Sequence, residues 1–162
     1  MDKKTLISVF FMTSLLAQAY SQWEVLNTFE QKAIQKLNFI SDDLGYAMAN
    51  DLTVNKKIII KTKDGGSSWD TIPNVSYGEF SEFMDICFIK DSVGFSVFRD
   101  FNNSSAPMRI HKTFDDGLNW EDITPETTNI GMGHSVVQFL DENIGFWGVA
   151  HMLYKTNDGG NT

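Results

Sequence analysis

Residues 61–70 read KTKDGGSSWD, a stretch in which two lysines, two carboxylates, two glycines, three hydroxyls and an indole fill the ten positions. Such a set suits three kinds of chemistry. A glycine-rich loop cradles phosphate when a Lys followed by Ser or Thr, and then a helix, come after its second glycine. Here a Trp and an apolar, strand-like run follow instead. A calcium loop needs acidic ligands at alternating positions, and Asp64 alone is too few. The third possibility is a tight turn, in which an Asp side chain accepts hydrogen bonds from nearby backbone N–H groups.

The stretch recurs, which favours the turn. KTFDDGLNWED begins at Lys112, and KTNDGGNT begins at Lys155. Aligned, the copies are Thr62, Asp64, Gly66, Ser68 and Trp69; Thr113, Asp115, Gly117 and Trp120, with Asn119 in the serine's place; and Thr156, Asp158 and Gly160, with Thr162 in that place. Each residue has a structural job in such a turn. The Asp accepts turn N–H groups, the Gly supplies a positive φ, the Thr bonds locally, and the Trp returns to the sheet and buries its ring.

A second motif precedes each copy. NFISDDLGYAMA, CFIKDSVGFSVF and QFLDENIGFWGV place an aromatic and an aliphatic residue, a short polar run and a glycine in the same order. Gly45, Gly94 and Gly145 are spaced 49 and 51 residues apart, and Lys61, Lys112 and Lys155 are spaced 51 and 43 apart. Two motifs repeating in register at that period define a repeat architecture. Each unit divides into four short strands; in the second these are Met84–Phe88, Gly94–Phe98, Met108–Lys112 and Trp120–Ile123. Residues 28–37 carry some helical propensity, yet the repeat requires extended chain over Ile34–Ile40. Antiparallel four-stranded units of this size are β-propeller blades. The expected organisation is a signal peptide over residues 1–21 and a partial propeller over 22–162, in units of about 23–68, 69–119 and 120–162.

Composition sets further bounds. The 162 residues carry a formal charge of −8 and only two arginines, Arg99 and Arg109, which argues against nucleic acid as a partner. Lys3 and Lys4 precede an apolar run that ends in small residues, the pattern of an export signal cleaved between Ser21 and Gln22. That run is shorter than the roughly 20 residues a membrane span needs, and the mature chain has no other candidate span. Export places the protein outside the cell, on its surface or in a periplasm. The sole cysteine, Cys87, is expected in the core, so packing rather than a disulfide must stabilise the domain.

The turn motif resembles the Asp-box, or bacterial neuraminidase repeat, whose form S/T-x-D-x-G-x-S/T-W the first copy matches in full. With the preceding motif, the pattern over residues 23–162 is similar to the photosystem II assembly/stability factor-like propellers, which include many secreted bacterial proteins. The resemblance implies an all-β propeller and a binding or assembly role. Asp-box propellers also include sialidases and other glycosidases, but two arginines cannot form the arginine triad with which a sialidase grips its substrate. His111, His134 and His151 have no metal-ligand or triad spacing. The expected function is therefore a secreted, non-enzymatic scaffold that binds a protein or glycan, with no catalytic, cofactor or metal residues. The alternative is a glycoside hydrolase with its carboxylates in other blades. The variable stretches Phe101–Pro107 and Thr124–His134 are the expected ligand loops. Trp23-Glu24-Val25-Leu26 repeats the fourth-strand pattern of Trp69–Ile72 and Trp120–Ile123, so the mature chain is expected to open on a fourth strand. Three units close no ring, which predicts a fragment of a longer protein, with a homo-oligomeric ring as the other solution.

Overall fold

A computed structural model describes residues 23–73, 81–100, 107–126 and 133–161. Among them every regular element is a strand. Alternating apolar and polar residues between Gly- and Asp-rich turns leave the chain no helical face to bury. The first sheet holds β1 (Lys32–Phe39), β2 (Gly45–Asp51), β3 (Lys56–Thr62) and β4 (Asp70–Thr71) in that order. The second holds β5 (Ser81–Lys90), β6 (Val93–Asp100), β7 (Met108–Thr113) and β8 (Glu121–Asp122), again in sequence order. The third holds β9 (Ser135–Phe139), β10 (Gly145–Val149) and β11 (Met152–Thr156). All neighbours are antiparallel. The three sheets stack as successive blades of an incomplete β-propeller, with the second between the other two, and the ring is not closed.

Residues 28–37 are strand from Lys32 onward, as the repeat demands and helical propensity does not. The fourth strands pair with the strands just before them, so the hydrogen-bonded sheets run past the tryptophans at which the sequence units divide. The turn between the first two strands of the second unit is tight. Only Asp91 and Ser92 form it, with Ser92 at a φ of 69°, and Val93 and Gly94 belong to β6. One expectation is corrected. Trp23–Leu26 forms no strand, because no sheet edge lies beside it among the described residues, and Trp23 is 99% exposed. Ser21 and Gln22, the residues 101–106 of one expected ligand loop and the residues 127–132 of the other lie outside the described residues.

Two apolar clusters hold the blades together. Tyr46, Met48 and Ile59 of the first sheet meet Ile72, Phe83, Ile86 and Phe88. Cys87, Phe95, Val97, Met108 and Ile110 of the second meet Val137, Phe139, Trp147 and Val149 of the third. The repeated glycines explain how the aromatics fit. Phe39, Phe88 and Phe139 lie opposite Gly45, Gly94 and Gly145 across the first two strands of each sheet. A Cβ on any of these glycines would come within 2.3 to 2.8 Å of the facing ring. Hydrogen at that position lets each Phe lie flat over its own sheet. Phe88 then stacks on Tyr46 of the preceding blade at 3.6 Å, and Phe139 stacks on Phe95 at 3.3 Å. Cys87 is buried as expected, and its Sγ accepts the Phe139 N–H at 3.3 Å.

Candidate functional site: three turns, an ionic joint and an open cleft

The three turns share one geometry, built around a threonine that is buried in the first two copies and half-buried in the third. Thr62, Thr113 and Thr156 each accept the N–H of Gly66, Gly117 and Gly160 at 2.9 Å. Each donates its hydroxyl proton to Asp64, Asp115 or Asp158 at 2.7 to 2.9 Å. The carboxylate then closes the turn. Asp64 accepts the Ser68 N–H at 2.8 Å and its hydroxyl at 2.6 Å, and Asp115 accepts the Asn119 N–H at 2.8 Å and its amide at 2.7 Å. The indoles of Trp69 and Trp120 donate to the carbonyls of Gly66 and Gly117 at 3.0 and 2.8 Å. Trp69 meets Phe39 edge-on, and Trp120 meets Phe88 in the same way. Each turn also leans on the first turn of its own blade, through Gly65 to Asp43, Asp116 to Ser92, and Gly159 to Asn143. Positive φ angles occupy two consecutive positions in every copy, and in the second the first of them is Asp116 at 64°.

That substitution has a use. The Asp116 carboxylate reaches across to the first blade, where it accepts the Lys61 ammonium at 2.7 Å and the Tyr46 hydroxyl. Lys61 also pairs with Asp91 at 2.6 Å, and the Ser92 N–H donates to the Tyr46 oxygen at 3.2 Å. A motif carboxylate thus becomes half of an ionic joint between blades. Burial and the Asp116 hydrogen bond push the Tyr46 hydroxyl up to about 12. Burial works against the Lys61 charge, but Asp116, Asp91 and Tyr46 outweigh it and raise its pKa. At the next joint Lys112 is buried between the rings of Phe95 and Phe114 instead.

These groups give stability a defined pH dependence. Hydrogen bonds from the Ser68 hydroxyl and N–H and from Thr62 hold Asp64 down to about 2, below its ordinary 3.8. Asp115 is lowered by Asn119, Asp91 by Lys61 and Asp141 by the N–H groups of Ile144 and Asn143. A depressed carboxyl contributes stability above its unfolded pKa and loses it as pH falls through the folded one. A raised Tyr or Lys contributes below its unfolded pKa and loses it on the alkaline side. Urea midpoints should therefore be highest near neutrality, fall from about pH 4 toward 2, and fall again above about pH 10. A flat profile across the acid limb would refute the assignment to the turn carboxylates.

His111 is buried on β7 against Phe98, with Nε2 3.6 Å from Asp122. Burial alone would raise the Asp122 carboxyl, yet its bonds with His111 and Thr124 carry it well below the usual carboxylate range. Arg109 pairs with the same carboxylate at 2.6 Å. His134 and His151 are exposed. Among the described residues no three His, Cys, Asp or Glu side chains converge as a metal site would require.

The open space lies elsewhere. A cleft of about 590 Å³ separates the end of the second blade from the third. Ile110 and Asp122 through Glu126 form one wall; Phe139, Phe146, Trp147, Tyr154, Lys155 and the turn residues Thr156, Gly160 and Asn161 form the other. Of the expected ligand loops, Thr124–Glu126 reach it. Its position is informative. In the first two blades the outer edge of the third strand pairs with a fourth strand, Lys61 opposite Asp70 and Lys112 opposite Glu121. Ile72 and Ile123 continue that pairing by donating to Ile59 and Ile110 at 2.9 and 3.0 Å. In the third blade β11 has a neighbour on one side only among the described strands. The cleft therefore combines aromatic walls with the Gly160 backbone that corresponds to the indole acceptors Gly66 and Gly117.

No protein-family model matches the chain, and no curated protein matches it by sequence. A solved structure described as "YCF48 bound to D1 peptide" is similar in fold, with a TM-score of 0.59 and 20% identity. The match covers 82% of this chain and 40% of that one, so this chain spans about two fifths of its length. At that identity the likeness establishes the fold. It is the propeller fold expected from the repeats. Among the described residues no helix is long and apolar enough to cross a membrane.

Proposed function

We propose that this chain is part of an exported, non-enzymatic propeller scaffold that binds protein. The observation that carries the proposal is the aromatic-walled cleft between the second and third blades, which the loop residues Thr124–Glu126 reach and at whose rim Lys155 is exposed. The similar propeller described with a bound peptide supports protein as the ligand class. Export rests on the N-terminal sequence pattern, and the three turns, read as Asp-boxes, serve the fold.

Panning a random peptide library against the immobilised chain tests this directly. A defined set of peptides should be enriched, and their binding should fall for a Lys155→Glu variant, whose exposed position leaves the fold intact. Enrichment indifferent to Lys155→Glu would refute the site. Binding confined to a glycan array, or turnover of a glycosidase substrate panel, would favour the hydrolase alternative.

A further inference from the structure

The second turn differs from the other two at positions that the turn geometry leaves free. Thr, Asp and Gly fix each turn, and two of the places between and after them hold Lys63 and Ser67 in the first copy and Asn157 and Asn161 in the third. The second copy has Phe114 and Leu118 there, 57% and 45% exposed. All six residues face water in their own copies, and the second blade is flanked by a blade on each side. Packing within or between blades therefore gives no reason for the two apolar side chains. Phe114 is nevertheless held in place. The buried Lys112 ammonium lies 5.0 Å from its ring centroid and 5.3 Å from that of Phe95. A ring fixed beforehand gives up less rotamer freedom when something binds to it.

The charge around this pair has one sign. Asp116 lies in the same turn, and its N–H bonds to Ser92, the neighbour of Asp91 in the adjoining turn. Lys61 takes Oδ1 of both carboxylates, so one cation meets two anions and the joint stays negative. The Asp91 side chain is 64% exposed and that of Asp116 is 30% exposed. Asp42 and Asp43 in the matching turn of the first blade and Asp141 in that of the third are exposed as well. We infer that this end of the second blade docks a basic segment of a partner protein. An apolar side chain of the segment sits on Phe114 and Leu118, and its Lys or Arg side chains meet Asp91 and Asp116. Charge complementarity selects the partner. A second copy would bring the same acids together, and an anionic lipid surface would be repelled. None of these four residues lines the cleft between the second and third blades, so the surface is independent of that site.

Fluorescence anisotropy with three labelled peptides tests the surface: KLKWKLK, its acidic counterpart ELEWELE, and KSKSKSK, which keeps the charge without the apolar side chains. KLKWKLK should bind best, and its affinity should fall as NaCl rises from about 50 to about 500 mM. The double variant Phe114→Asn with Leu118→Asn carries the residues of the third copy at both places, so it keeps the turn. It should weaken KLKWKLK about tenfold or more, the scale of losing a small apolar hot spot, and leave the weak binding of KSKSKSK unchanged. Lys155→Glu, which lowers binding at the cleft, should leave KLKWKLK within about twofold. Failure of KLKWKLK to bind, equal affinity for the wild type and the double variant, or equal binding of ELEWELE overturns the inference. Binding lost with Lys155→Glu but not with the double variant overturns it too, and leaves the cleft as the peptide site. Self-association that the double variant abolishes would assign the pair to a second copy and likewise overturn the basic partner.

Discussion

Phe88→Ala is expected to cost about 3–5 kcal/mol of folding stability, the range for deleting a large buried aromatic. Phe88 is 1% exposed and lies where three elements of the fold meet. It lies over Gly94 on its own sheet, stacks at 3.6 Å on Tyr46 of the preceding blade, and meets Trp120 edge-on at 6.3 Å. Truncation leaves a cavity bounded by two blades and a turn tryptophan, none of which can collapse without moving a sheet. Phe114→Ala gives the comparison. Phe114 is 57% exposed and touches only the Lys112 ammonium among its described contacts, so its loss should stay within about 1 kcal/mol. A double-mutant cycle sharpens the test. Gly94→Ala brings a methyl into the space of the Phe88 ring, where a Cβ would lie 2.5 Å from its carbon. Once Phe88 is truncated that clash disappears, so the two losses should be clearly less than additive. Additive losses in urea denaturation would show that the glycine serves some purpose other than seating the ring.

Removing the Asp85 carboxylate is expected to be nearly as damaging, at about 3–5 kcal/mol for a buried ion pair broken from one side. Asp85 is 3% exposed on β5, and its two oxygens serve all three blades. Oδ1 accepts the Lys36 ammonium of the first blade at 2.7 Å and its neighbour Ile86 N–H at 3.0 Å. Oδ2 accepts the Val137 N–H of the third blade at 2.9 Å. Asp85→Ala therefore strands a buried backbone N–H and a lysine together. Lys36 is about a third exposed, so water screens part of the pair and the loss belongs toward the lower end of that range. Asp85→Asn keeps an acceptor for Val137 and should cost less than Asp85→Ala. Equal urea midpoints for wild type and Asp85→Ala would refute the role of this carboxylate as a tie between blades.

The blade is legible in the sequence because its instructions are local. Threonine, aspartate and glycine two residues apart specify a turn whose hydrogen bonds span at most four residues, so the motif alone shows where hairpins fall. The same locality left the reason for Gly45, Gly94 and Gly145 unread: they lie in strands, and they are glycine because a phenylalanine from the adjacent strand rests on them. Asp85 and Lys36 carried no signal at all, since neither falls in a repeated position with a chemical role. Asp116 carried a faint one: an acid stands where the other two copies have glycine, and a charge at a left-handed position invites a search for its partner. Trp23–Leu26 was recognisable as a fourth strand by pattern, yet it forms none, because no sheet edge lies beside it among the described residues.

By itself, then, the sequence determined the repeat, the four-strand unit, the three turns and the all-β class, since each depends on side chains bonding to backbone a few residues away. Only the tertiary structure decided which aromatics stack between blades, which carboxylates bridge them, and where a cleft remains. Those depend on groups brought together from positions some fifty residues apart, and packing between blades, which no local spacing encodes, selects them.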